Sequence, residues 1–166
     1  EIGKIEKNIN IDKGTPHIIY SSHIENIAWQ NAVQDGATSG TTGKNLKLQA
    51  IKINIKNMPE NVKLQYQMHV ENIGWQSWVN EGEMAGTTGK NLKAEAIKIE
   101  LTGTSNYSVE YRAHVENIGW QDWVRDGDSA GTTGRNLKIE ALEIRIVPKE
   151  PKATIQMETD LEKTTF

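Results

Sequence analysis

Cysteine is absent from this 166-residue chain, which excludes disulfide bonds, thiol nucleophiles and cysteine metal ligands. No run of about 18 apolar residues occurs, so we expect no membrane span. With a formal net charge of -3, the chain has no excess of basic residues to contact phosphates, and we therefore expect no nucleic-acid partner. Proline is scarce, whereas glycine, threonine and isoleucine are frequent, which favours strands and turns over helices.

One eleven-residue segment occurs three times, beginning at His23, His69 and His114. At His69 it reads His-Val-Glu-Asn-Ile-Gly-Trp-Gln-Ser-Trp-Val. A Gly-Thr-Thr-Gly block follows each segment at a nearly fixed distance, starting at Gly40, Gly86 and Gly131. Repetition at a period of about 45 residues is typical of proteins in which similar units share one core.

The repeat sets the expected domain organisation. Residues 1–16 are interpreted as an N-terminal strand and turn, and residues 17–147 as one three-repeat domain. Its units are 17–62 (copy one), 63–107 (copy two) and 108–147 (copy three). The proline-containing stretch 148–166 is interpreted as a linker or a peripheral strand.

Each copy shows the period-two alternation of half-buried strands. In copy two Leu64, Tyr66 and Met68 alternate with polar residues, which places His69 on the outer face. Near the end of each copy the apolar parity reverses, as between Ala96 and Ile97. Such a reversal requires a bulge, a sharp bend or a break into two strands. About four strands per copy, or about twelve in all, are expected: one ending at the histidine, one containing the tryptophans, and two at the end of the copy, on either side of the parity reversal.

No single copy can bury its own apolar face, so the three copies are expected to close around a pseudo-threefold axis. The predicted fold is an all-β trefoil, with a threefold β-prism as the alternative. Closure of either kind would remove exposed sheet edges.

The five tryptophans fall into two groups. Trp29, Trp75 and Trp120 share parity with apolar residues and are expected in the core. Trp78 and Trp123 lie on the opposite parity, and copy one has Ala32 at this position. A core position rarely tolerates a change from tryptophan to alanine, whereas a binding platform can be lost from one copy. Packing under the adjacent hairpin is the alternative for these two indoles.

Polar residues of the repeat complete the candidate site. Each repeated histidine precedes a glutamate by two residues, which places both on one strand face. They are expected to hydrogen-bond the hairpin ends or to line a polar groove, with the asparagines acting mainly in turns. The candidate ligand-binding residues are Trp78, Trp123, Gln76, Gln121, His69, His114, Glu71, Glu116, Asn72 and Asn117.

No metal, cofactor or catalytic constellation is indicated by these residues, and no enzymatic activity is expected. The Gly-Thr-Thr-Gly-Lys block lacks the spacing and the following helix of a phosphate-binding loop, so a nucleotide site is rejected.

The repeated tryptophan segment, the Gly-Thr-Thr-Gly block and the Leu-Lys-x-Glu-Ala-Ile-x-Ile ending together resemble the clostridial hydrophobic repeat with a tryptophan, the ChW repeat. The resemblance covers about residues 17–147; copy one departs from it at Ala28, Ala32 and Gln49. It implies a Gram-positive surface or secreted protein that carries binding or adhesion modules. The sequence then predicts a non-catalytic, lectin-like module for carbohydrate or cell-wall glycans, with up to three sites. A protein-binding adhesion or assembly domain is the alternative.

Overall fold

The computed structural model describes residues 14–103 and 106–149, which form 15 strands and contain no helix. The predicted strand at residues 1–16 and the tail 148–166 lie almost entirely outside these ranges. Copy one contains β1 (His17–Ile24), β2 (Ala28–Trp29), β3 (Val33–Gln34), β4 (Ser39–Gly40) and β5 (Leu48–Lys56). Copy two contains β6 (Lys63–Val70), β7 (Gly74–Trp75), β8 (Val79–Asn80), β9 (Met84–Gly86) and β10 (Ala94–Thr102). Copy three contains β11 (Tyr107–Val115), β12 (Gly119–Trp120), β13 (Val124–Arg125), β14 (Ala130–Gly131) and β15 (Ile139–Pro148).

The copies build three antiparallel sheets that exchange one short strand in a circle. Each sheet has five strands and is built on a long pair from one copy, β1 with β5, β6 with β10, or β11 with β15, with two short strands of the same copy on the first long strand. A short strand of another copy completes each pair: β9 joins β5, β14 joins β10, and β4 of copy one joins β15. The last pairing closes the circle, so the all-β fold with threefold repetition is confirmed. The choice between a trefoil and a prism stays a prediction.

The three copies share one core. Its largest fully buried side chains include Tyr20, Tyr66 and Tyr111, one from each copy. Each hydroxyl accepts a hydrogen bond from the backbone of a neighbouring copy, such as the Ile53 N–H to Tyr66 at 3.1 Å. Burial raises the pKa of Tyr66 to about 12 and also raises the pKa of the other two. The hydroxyls therefore stay protonated and tie the copies together.

The parity reversal is a β-bulge in every copy. The register between β6 and β10 shifts between Ala94 and Ala96, and β5 and β15 shift at the corresponding places. The strand continues past the bulge, so the two strands expected at the end of each copy form a single continuous strand. Conversely, the single tryptophan strand expected in each copy is divided into two strands of two residues.

Candidate functional site

In each copy the repeated histidine and the first tryptophan lie side by side on the outer face. The register pairs His69 with Trp75, and cross-strand partners point to the same side of a sheet. The two rings meet edge to face with centroids 5.3 Å apart, and the other copies repeat this contact at 5.3 and 5.2 Å. A cation also lies over each indole; in copy two the Lys98 ammonium is 4.5 Å from the Trp75 centroid.

The prediction that Trp29, Trp75 and Trp120 belong to the core is therefore wrong. Trp29 is 37% exposed, and the other two are half-buried beside their histidines. The error came from extending regular strand alternation through Trp75. In the structure β7 ends at Trp75 and the chain rejoins the sheet only at Val79, so parity is not carried across the gap.

The partner of each histidine is a residue of the bulge. Nδ1 of His69 donates to a carboxylate oxygen of Glu95 at 2.9 Å, and His114 does the same to Glu140 at 3.0 Å. In copy one the acceptor is the Gln49 amide oxygen at 2.9 Å from His23. The glutamate two residues after each histidine does not share its strand face as predicted, because the strand ends before the glutamate, as β6 does at Val70.

The glutamines of the motif bind the protein's own backbone. The Gln76 side chain accepts from the Gly86 N–H at 2.8 Å and donates to the Gly86 carbonyl at 3.2 Å. Gln121 holds Gly131 in the same way at 2.7 and 3.1 Å. This clamp fixes the short strand that completes the neighbouring sheet. The two glutamines predicted to bind ligand therefore have a structural task.

Trp78 and Trp123 occupy equivalent positions but different surroundings. Trp78 is 38% exposed, and no described lysine or arginine lies over its ring. Trp123 is half-buried and contacts two guanidinium groups: Arg145 lies 3.8 Å and Arg112 lies 4.9 Å from its ring centroid. Copy two thus presents an indole with no described cation over its ring, called the open indole below, and copy three presents an indole contacted by two guanidinium groups.

The arginines of copy three form ion pairs with carboxylates. Arg112 donates from Nε to Glu143 at 2.9 Å, and Arg145 donates from Nε to Glu110 at 2.9 Å. Glu110 also accepts from Arg125 at 2.5 Å. Register pairs Glu110 with both Arg125 and Arg145, so the network spans three strands on one outer face.

Glu71 and Glu116 lie in a separate cavity of about 410 Å³ that all three copies line. The lining residues are Glu25, Asn45, Lys47, Glu71, Lys93, Glu116, Asn136 and Lys138. Each glutamate accepts the backbone N–H of a lysine in its own copy, as Glu71 does from Lys93 at 3.1 Å. This bond, with the lysine side chain, lowers the pKa of Glu71, and the corresponding contacts with Lys138 lower that of Glu116.

The predicted site residues thus divide among four places, of which the clamp on the short strand, formed by Gln76 and Gln121, is described above. Trp78, Trp123, His69 and His114 lie on the outer faces, while Glu71 and Glu116 lie in the three-copy cavity. Asn72 and Asn117 adopt positive φ in exposed turns, as their turn role required. Sequence reasoning missed Arg112 and Arg145 because outward positions of β11 and β15 look like any solvated strand face. The available signal was that these two positions are arginine in copy three and not in the other two copies.

Within the described ranges, no group of three or more histidine, aspartate or glutamate side chains is placed to hold a metal ion, and no helix is long and apolar enough to span a membrane.

The fold and its repeated surface thus define an all-β repeat protein whose copies share one core. A family model described as Clostridial hydrophobic W, ChW, matches residues 23–57, 69–103 and 114–148, and the chain belongs to this family. Comparison with curated proteins and with solved structures gave no significant match.

Proposed function

We propose that this protein is a non-catalytic glycan-binding module at the cell surface or outside the cell, and that the outer face of copy two is its main sugar site. The observation that carries the proposal is the open indole of Trp78. A sugar ring has one apolar face that stacks on an indole and a rim of hydroxyls that hydrogen-bond to polar neighbours.

The polar neighbours follow from the repeat. Arg112 and Arg145 contact Trp123 in copy three, and Gln67 and Glu100 hold the equivalent positions in copy two. Gln65 donates to the Glu100 carboxylate, and Gln67 donates to the Gln76 carbonyl at 2.8 Å. Amide and carboxylate groups beside an indole supply both donors and acceptors for the hydroxyls of an uncharged sugar.

Copy one supports the assignment by contrast. It has Ala32 at the position of Trp78, yet Val33 pairs with Tyr20 as Val79 pairs with Tyr66. The fold therefore accommodates alanine here without a change of register. An aromatic side chain that the fold does not require is available for binding.

The test is binding of the purified protein to a glycan array and to insoluble bacterial wall polymers, with the Trp78→Ala variant. We expect the variant to lose about tenfold or more in affinity for a neutral glycan, as is typical for removal of a central tryptophan. Circular dichroism checks that the variant is folded. Equal affinity of Trp78→Ala and wild type for the neutral glycan, or no binding of wild type to any glycan, would contradict the proposal.

The protein-binding adhesion or assembly function is the second candidate, and one observation favours it. Isoleucines at the tips of three equivalent turns are exposed: Ile27 at 43%, Ile73 at 48% and Ile118 at 42%. Exposed apolar residues repeated at one place are typical of protein contacts. The Ile73→Ala variant separates the candidates, because it should leave glycan binding unchanged and weaken only a protein contact made through the turns.

A further inference from the structure

The outer face of copy three differs from that of copy two in charge as well as in the cover of its indole. Between the copies, Gln65 corresponds to Glu110, Gln67 to Arg112, Asn80 to Arg125, Lys98 to Glu143 and Glu100 to Arg145. Copy three therefore gathers three guanidinium groups and two carboxylates around its indole. Copy two has one ammonium and one carboxylate at the same five positions.

The charges of copy three are layered. The Glu110 and Glu143 side chains are 9% and 13% exposed, whereas those of Arg112 and Arg145 are 30% and 42% exposed. The carboxylates are thus less exposed than the guanidinium groups, so the more exposed charges among these positions are cationic. Asp122, the residue before Trp123, is exposed and forms no ion pair with these arginines.

The indoles hold the guanidinium groups in place. Arg112 lies over two rings, 4.8 Å from the Trp120 centroid and 4.9 Å from the Trp123 centroid. Arg145 lies over Trp123 at 3.8 Å. The ring contacts and the carboxylates together restrain the guanidinium groups of Arg112 and Arg145, which reduces the entropy lost when an anion binds.

The arginines retain unused donors. A guanidinium carries five N–H groups. The ion pairs engage two nitrogens of Arg112, two of Arg145 and one of Arg125. The remaining N–H groups have the planar fork geometry that matches carboxylate, sulfate and phosphate oxygens. The excess of one positive charge over the five positions favours an anionic ligand.

We propose that the outer face of copy three binds an oxyanion-bearing glycan, with Arg112, Arg125 and Arg145 contacting the anionic substituent and Trp123 orienting Arg145. This inference rests on the proposed glycan-binding function and names the sugar class for one of its sites. Copy two takes a neutral sugar by direct stacking, whereas copy three uses its indole as a support for arginine.

The experiment compares matched polymers by calorimetry: dextran sulfate with dextran, and polygalacturonate with its methyl ester. We expect wild type to bind at least one anionic polymer about tenfold or more tightly than its neutral partner. The two pairs distinguish a sulfate from a carboxylate as the recognised group. Raising the salt from about 0.1 M to 1 M should weaken this binding, since the Debye length falls from about 10 Å to 3 Å. Equal binding within both pairs would overturn the proposal.

The key variant is Glu110→Gln/Arg145→Glu, which installs the Gln65 and Glu100 pair that copy two already accommodates. It should lose about tenfold or more of the anionic-polymer affinity, since it removes a charged hydrogen-bond donor. The reciprocal variant Gln65→Glu/Glu100→Arg should gain anionic binding at copy two. Unchanged anionic binding in the first variant would overturn the proposal.

Two controls separate the possible failures. Trp78→Ala should weaken only neutral-glycan binding, by about tenfold or more, so its effect reports on the proposed function independently of copy three. If that effect is present while the copy-three variant changes nothing, the glycan function stands and this inference fails. Oligothymidylate tests a different anionic polymer; binding as tight as that of the best anionic glycan would overturn the glycan assignment.

Discussion

Copy two and copy three fold alike but present different surfaces. Their histidines, glutamines and bulge glutamates make the same contacts within about 0.1 Å in the described distances. Yet Trp78 has no described cation over its ring, and Trp123 contacts two arginines. The contrast teaches that most of the repeated motif maintains the fold, whereas the copies differ at the outer-face positions proposed to contact a ligand.

The largest effect is expected at the glycines where one copy enters the next sheet. A Cβ on Gly86 would lie 2.3 Å from the Gln49 carbonyl oxygen, and one on Gly131 would lie 2.3 Å from that of Glu95. Both also have positive φ. Gly86→Ala and Gly131→Ala should each lower the free energy of unfolding by about 2–5 kcal/mol in urea denaturation. A large difference between the two losses of stability would contradict the structural equivalence of the copies.

The glutamine clamp should come next. Gln76→Ala removes the two hydrogen bonds to Gly86 and should cost about 1–3 kcal/mol of stability. Gln121→Ala should cost the same, because Gly131 is held by the same pair of bonds. Chemical denaturation of both variants checks this. A loss of glycan binding without a loss of stability would instead assign these glutamines to the ligand.

The tryptophan pair should respond unequally. Trp123→Ala loses the contacts with Arg112 and Arg145, whereas Trp78→Ala loses no cation contact. Each cation–π contact at an exposed site contributes about 0.5–1 kcal/mol. We expect Trp123→Ala to destabilise the protein by about 1–2 kcal/mol more than Trp78→Ala in thermal or urea unfolding. Equal losses of stability in the two variants would contradict the difference between the two surfaces.

The smallest effect concerns copy one. Ala28 has a φ of 75°, where copies two and three have Gly74 and Gly119 at 86° and 85°. An alanine in this region carries a penalty of about 1–2 kcal/mol, part of which is offset because glycine is more flexible in the unfolded chain. Ala28→Gly should therefore stabilise the protein by about 0.5–1 kcal/mol in equilibrium unfolding. A loss of stability would show that the alanine makes contacts that outweigh its strain.

The sequence predicted the all-β repeat architecture because its signal is local and repeated. The period and the alternation in Leu64, Tyr66 and Met68 predicted one all-β unit, and the parity reversal near Ala96 predicted a bulge, a bend or a break, of which the structure shows the bulge. It did not predict that β4, β9 and β14 leave their own copy. Strand exchange depends on the distances between copies, which no local pattern records.

The candidate site was only partly predictable for the same reason. The open position of Trp78 followed from its contrast with Ala32. The partners of His69 and Trp123 did not, because Glu95 reaches His69 through a bulge and Arg145 reaches Trp123 from another strand. Both contacts depend on cross-strand register rather than on sequence spacing.

The central claim is that the open indole of copy two is where a neutral sugar binds. The five tryptophans give five indole N–H signals in a nitrogen-15 NMR spectrum, which single substitutions can assign. On titration with the neutral glycan that binds best, the Trp78 signal should shift most, and the Trp123 signal should remain in place. A titration in which Trp78 stays fixed while another indole shifts would contradict the account.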